Sequence, residues 1–294
     1  MTVVNASTLA IAPVLALLFA ASFWGVVWYP SRILEGMGMH GAWLVLVSYA
    51  AAFLVFTPFV RFSLRGLRRQ PWEALMLVLS AGWTNVAFVL AVLEGEVVRV
   101  VLLFYLSPIW TVLLGRWLLH ELLDGYTWVM LGLGIGGAAI MLWDPVIEDV
   151  PLNRADLLAA SAGLAFAVNN VMTRRITEIG IRAKTHLAWF GVIIIATLFV
   201  WFQSPVLPDV APSAWAGAIA LGIGGFMLST LAVVYGVSNM PVQRSAVIML
   251  FELIVGAVSA WLLAAEMISL QEWVGGALII SAAMIAIFKE GLPV

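Results

Sequence analysis

The chain contains no cysteine. Disulfides, thiol nucleophiles and cysteine-ligated metals are therefore excluded together. Charge is almost as scarce: Asp, Glu, Lys and Arg make up 10% of the 294 residues, against about 25% in ordinary globular domains. A net charge of −2 and the lack of any basic tract leave nothing for a nucleic acid to bind. The first residues lack the basic region and small-residue cleavage site of a secretory signal, so the first apolar run is expected to stay as a membrane helix. No span pairs a nucleophile with a base, and no cofactor is expected.

What remains is apolar. Hydrophobic residues make up 64% of the chain, and its mean hydropathy is +1.08. Its solvent is therefore lipid. A helix needs about 20 apolar residues to cross the hydrocarbon. On that measure the sequence predicts ten spans: Leu9–Trp28, Ala42–Val60, Trp72–Leu93, Val97–Leu119, Tyr126–Trp143, Leu157–Thr173, Thr185–Phe202, Ala214–Val237, Ala246–Ala265 and Trp273–Phe288. The acidic, proline-bearing link 144–151 divides two sets of five, predicting a first repeat over 1–147 and a second over 148–294 within one membrane domain.

The frame of the fourth span returns in the ninth. Arg99 matches Arg244, Glu121 matches Glu266 and Trp128 matches Trp273, each 145 residues on. Charged residues are too rare here for that register to be easily accidental, so the chain reads as a duplication. Eleven of the 14 Lys and Arg residues fall on one side of the predicted topology and three on the other. The positive-inside rule then puts both termini in the cytoplasm. Five spans per half is an odd number, so the two copies must be inverted. Inverted repeats around a site near the midplane are a common plan of secondary transporters.

Two enzyme-like motifs fail on context. Gly132, Gly134 and Gly137 satisfy G-x-G-x-x-G, but inside a membrane span with no strand before them. Close helix packing through Gly132 and Gly136 is the expectation instead. His120-Glu121-Leu-Leu-Asp124 has Asp where the zinc motif H-E-x-x-H needs its second His. Glu121 and Glu266 are expected to accept backbone N–H bonds at the starts of the fifth and tenth helices. Arg99 and Arg244 are expected to snorkel to the interface.

Polar residues gather on six spans. They include Trp24 in the first, Thr84 and Asn85 in the third, and Tyr105, Ser107 and Thr111 in the fourth. The sixth carries Asn169 and Asn170, the eighth Ser229 and the ninth Glu252. Six such faces point to a shared central cavity, with the second, fifth, seventh and tenth spans peripheral. Glu252 is the one carboxylate well within a span, and it must be paired, protonated or set against a polar cavity. Its repeat equivalent is the neutral Ser107.

Two five-helix halves, Glu121 and Glu266 after each fourth helix, and Pro108 within the first of these resemble the drug/metabolite transporter superfamily, in particular its ten-helix EamA-type members. The Trp-rich sequence further resembles the YddG-type exporters of aromatic amino acids. That resemblance implies export across a bacterial inner membrane by alternating access. Leu253 stands where the second half would repeat Pro108, so the proline's role is not symmetric.

Together these features predict a monomeric exporter of amino acids with aromatic or other apolar side chains, uncoupled to an ion gradient. Its substrate site is assigned to Trp24, Thr84, Asn85, Tyr105, Ser107, Asn169, Asn170, Ser229 and Glu252. A proton-coupled exporter of lipophilic cations or other small metabolites is the alternative within transport. A membrane enzyme or receptor is the alternative outside it.

Overall fold

A computed structural model describes residues 6–39, 41–61, 63–95, 97–143, 152–203, 206–265 and 267–288. The 144–151 link, Glu266 and Lys289 thus lie outside the described residues. Among those described, the chain is helical apart from short links, and no strand occurs. A bilayer core offers backbone groups no partner, and the helix satisfies them within each segment.

Among the described residues, ten helical runs are long and apolar enough to cross a membrane. They are Ile11–Gly36, Gly41–Phe59, Pro71–Ala91, Arg99–Leu118, Gly125–Leu142, Arg154–Arg175, Ile181–Phe202, Pro212–Asn239, Val242–Ala264 and Leu270–Ile287. They are called the first to tenth spans below. Seven tryptophans near span ends (Trp72, Trp117, Trp128, Trp143, Trp201, Trp261 and Trp273) are at least half exposed. They form the aromatic belts of a bilayer-spanning protein, so half of the 14 tryptophans say nothing about cargo.

Packing obeys the repeat. The third span lies on the sixth, and its equivalent, the eighth, lies on the first. The fourth packs on the sixth as the ninth packs on the first, and the seventh on the third as the second on the eighth. The fifth and tenth spans pack on each other across the pseudo-twofold. The result is two inverted five-helix repeats around a central cavity. Backbone geometry repeats too: His120 (φ 56°) and Ala265 (φ 55°), 145 residues apart, both take the left-handed conformation that ends a helix.

Small residues set the closest contacts, as expected where lipid supplies no hydrophobic drive. The glycines that do so in the fifth span differ from the expected pair. A Cβ at Gly137 would lie 2.6 Å from the Gly275 carbonyl oxygen, and one at Gly134 3.0 Å from Leu250, while Gly132 and Gly136 face open space. The helix turns its 134/137 edge inwards, because that edge alone meets the ninth and tenth spans. The seventh span is not peripheral either. Forty-four per cent of its apolar window is buried, against 22% for the second, and Trp189 is fully enclosed.

Both central spans are broken near the middle, at equivalent places. The fourth divides into Val97–Phe104 and Ser107–Leu118, and the ninth into Val242–Met249 and Phe251–Ala264. Tight i→i+3 bonds bridge the breaks: Leu106 N–H donates to Leu103 (3.3 Å) and Leu250 N–H to Val247 (3.1 Å). Pro108 accounts for the first, since it has no N–H to offer the Phe104 carbonyl. A glycine from the neighbouring span crowds a carbonyl beside each break. Cβ atoms at Gly163 and Gly25 would lie 2.6 Å from Phe104 O and Glu252 O.

Candidate functional site in the broken spans

The two breaks meet around a narrow cavity lined by Phe104, Tyr105, Ser107, Pro108, Thr111, Phe166, Ala246, Met249, Leu250 and Glu252. Its water-accessible volume is about 20 Å³, enough for a water molecule and far too small for an amino acid. Glu252 sits in the first turn of Phe251–Ala264, where the positive end of the half-helix favours a carboxylate. Its Oε1 accepts a hydrogen bond from the Tyr105 hydroxyl across the repeat interface.

Ser107 is buried on the same wall. Thr111 follows one turn later at 1% exposure, and its Oγ1 has no hydrogen-bond partner. Rings close the cavity on one side: Phe104 lies 5.8 Å from Tyr105 and 5.6 Å from Phe166, centroid to centroid. Phe166 carries no polar signal, so only its aromatic character and helical position could have pointed to it.

The structure therefore brings together Tyr105, Ser107 and Glu252 from the predicted set. Trp24 lies beside Gly25 on the first span, in a ring cluster with Phe23 and Phe226. The Asn169 amide donates to the Leu77 carbonyl (3.3 Å), joining the sixth span to the third. Asn170 is buried. Thr84 bonds back to Ser80 O (2.8 Å) and Asn85 to Ala81 O (2.9 Å). Asn85 also accepts from the Tyr49 hydroxyl (3.2 Å) and faces the second and seventh spans instead. Ser229 is fully buried without a partner. None of these last six residues lines the cavity at the breaks.

The two ends of the bundle differ. At the arginine-rich end, the links between spans interlock. Arg69 pairs with Glu178 (3.1 Å) and Arg175 with Glu73 (3.4 Å). Arg175 also donates to Leu118 O (3.0 Å), and Arg174 to Ser238 O (2.6 Å). Lys184, buried, donates to Thr173 O (2.7 Å) and Ser238 Oγ (3.1 Å).

Glu121 sits at the centre of this network. Its Oε2 accepts the Val242 N–H (3.0 Å), and Arg174 lies 3.8 Å from Oε1. The carboxylate thus caps the ninth span, in the other repeat, and not the fifth as expected. Asp124 caps the fifth, accepting the Thr127 N–H at 2.9 Å. Chain reversal at His120 carries Glu121 across the interface, which sequence proximity cannot show. Burial raises the Glu121 pKa above the ordinary carboxylate value, and the Val242 N–H and Arg174 oppose that rise.

Every residue of Val242–Met249 is buried, whereas in Phe251–Ala264 only Ser259 is. The ninth span is thus enclosed in its half at the arginine-rich end and more open in its other half.

Arg99 and Arg244 do not snorkel. They are 7% and 6% exposed. Arg99 pairs with Asp156 at 2.8 Å, and Arg244 donates to the Ala286 carbonyl from Nε at 2.7 Å. Each has an acceptor on a neighbouring span, so neither has to reach for water.

A broken, polar-lined pair of spans inside an inverted repeat defines a multi-pass membrane transporter. Comparison with known proteins supplies the family. The model of the EamA-like transporter family matches residues 11–143 and 153–288, and the chain belongs to that family. It is similar to an uncharacterized transporter of Archaeoglobus fulgidus, 24% identical over 248 residues, which is 82% of this chain and 85% of that relative. It also shares its fold with a protein of known crystal structure, at a TM-score of 0.76 and 18% identity, over 95% of this chain and 97% of the other.

Proposed function

We propose that the chain exports amino acids with aromatic or other apolar side chains, as a monomer, by alternating access and without ion coupling. The observation that carries this reading is Glu252 on the broken ninth span. It is a carboxylate at mid-membrane in a cavity otherwise lined by rings, aliphatic groups and hydroxyls. A carboxylate there suits an ammonium group, and the rings suit an apolar side chain, with stacking contributing about 0.5–1.5 kcal/mol beyond burial. Ser107, standing where the other repeat would need a second carboxylate, supports the absence of coupling.

A lipophilic cation is the second reading, favoured by the same solitary carboxylate. Counterflow in proteoliposomes with labelled tryptophan and with a labelled quaternary ammonium separates the two. The amino-acid reading expects tryptophan to exchange and the quaternary ammonium not to; the reverse overturns it.

The cation asymmetry supports placing the arginine-rich end in the cytoplasm of a bacterial cell, across its inner membrane. In that orientation, the buried half of the ninth span faces the cytoplasm. Single cysteines can be introduced cleanly into this chain. One in the 61–69 link should resist an impermeant thiol reagent in intact cells, and one near Asp149 should react. Labelling in the opposite pattern reverses the orientation.

A further inference from the structure

Resting on the amino-acid reading above, we infer that Thr111, with Ser107 one turn before it, forms the subsite for the cargo's carboxylate. A threonine within a helix can bond back to the carbonyl four residues earlier. Thr84, Thr185 and Thr230 do so at 2.8, 3.0 and 2.7 Å. Thr111 does not. It is 1% exposed, its Oγ1 has no partner, and it lines the cavity at the breaks. Thr173 and Ser229 also hold unpartnered hydroxyls, but neither borders that cavity. A buried hydroxyl without a partner is retained at a cost unless something else uses it.

The chemistry of the wall selects an anion. Ser107 and Thr111 lie in the first turns of Ser107–Leu118, whose N-terminal end carries the positive pole of the half-helix. Pro108 has no N–H, and Ile109 and Trp110 donate theirs to the Leu106 carbonyl (3.0 and 3.3 Å), so the Ser107 and Thr111 hydroxyls are the side-chain donors that this turn offers a ligand. Glu252, on the other broken span, supplies the opposite charge. Ammonium and carboxylate on one carbon match that division, with Tyr105 holding Glu252 while cargo is absent.

Counterflow of tryptophan and of its decarboxylated analogue tryptamine, in liposomes containing wild type, Thr111→Val or Thr111→Ser, tests the assignment. Thr111→Val is expected to raise the half-saturating tryptophan concentration about tenfold, as for one lost hydrogen bond to a charged group. Tryptamine exchange should stay within about twofold of wild type, and Thr111→Ser should restore tryptophan exchange. If wild type exchanges neither compound, the amino-acid reading falls and takes the subsite with it. If wild type exchanges tryptophan, but Thr111→Val leaves it unchanged or Thr111→Ser fails to restore it, the subsite alone is overturned. An equal effect of Thr111→Val on both compounds does the same.

Discussion

Asp156 shows how one side chain can hold several elements. It pairs with Arg99 of the fourth span and accepts the Asn153 N–H (2.8 Å) in a reciprocal capping box at the start of the sixth. Removing one partner of a buried ion pair strands the other's charge, at about 3–5 kcal/mol. Asp156→Ala should therefore lower stability by that order, seen as an earlier thermal unfolding transition in detergent. A transition unchanged from wild type would mean that Arg99 is solvated and the pair idle. Glu121 does the same at the other end, with an acceptor role legible from its place after an apolar run. Its partner was not legible. Val242 lies 121 residues away, and only the inverted packing brings its N–H into reach.

At the scale of elements, the ten spans were legible because each must be apolar for the length of a bilayer crossing. What sequence hid was their interior. The break at Leu250 has no proline near it, only apolar neighbours and Glu252, while its counterpart at Tyr105–Leu106 is marked by Pro108. Hydropathy responds to lipid, not to helix continuity, so a break carried by packing leaves no trace in it. Likewise, Gly132 and Gly136 share the spacing of a packing motif, but spacing does not say which edge faces a neighbour. Gly137 carries that contact, and it has no room to give against the Gly275 carbonyl. Gly137→Val should force the fifth and tenth spans apart and destabilise the protein by about 1–3 kcal/mol. Gly136→Val, on the open edge, should be close to neutral. Equal melting of the two variants would contradict this packing.

Over the whole molecule, inversion makes one chain into two nearly equivalent halves that meet at the broken fourth and ninth spans. Sequence revealed the duplication through a handful of charged and aromatic matches. It also gave four polar residues of the cavity, Tyr105, Ser107, Thr111 and Glu252, because polar groups in lipid must face something. The other residues assigned to the site, Trp24, Thr84, Asn85, Asn169, Asn170 and Ser229, lie away from that cavity; Thr84 and Asn85 bond back to their own helix, and the Ser229 hydroxyl is buried without a partner. The buried half of the ninth span lies at the arginine-rich end, and Glu252 opens the less buried half.

What Glu252 does in transport is measured directly by flux through Glu252→Gln in proteoliposomes with and without an imposed pH gradient. If Glu252 binds the cargo's ammonium, the variant keeps its shape but loses its charge. Counterflow and net efflux of tryptophan should then weaken together, and wild-type flux should ignore the pH gradient. Wild-type flux that follows the gradient, together with a variant that keeps full counterflow but loses gradient-driven uphill transport, would contradict the account and make Glu252 a proton-coupling group.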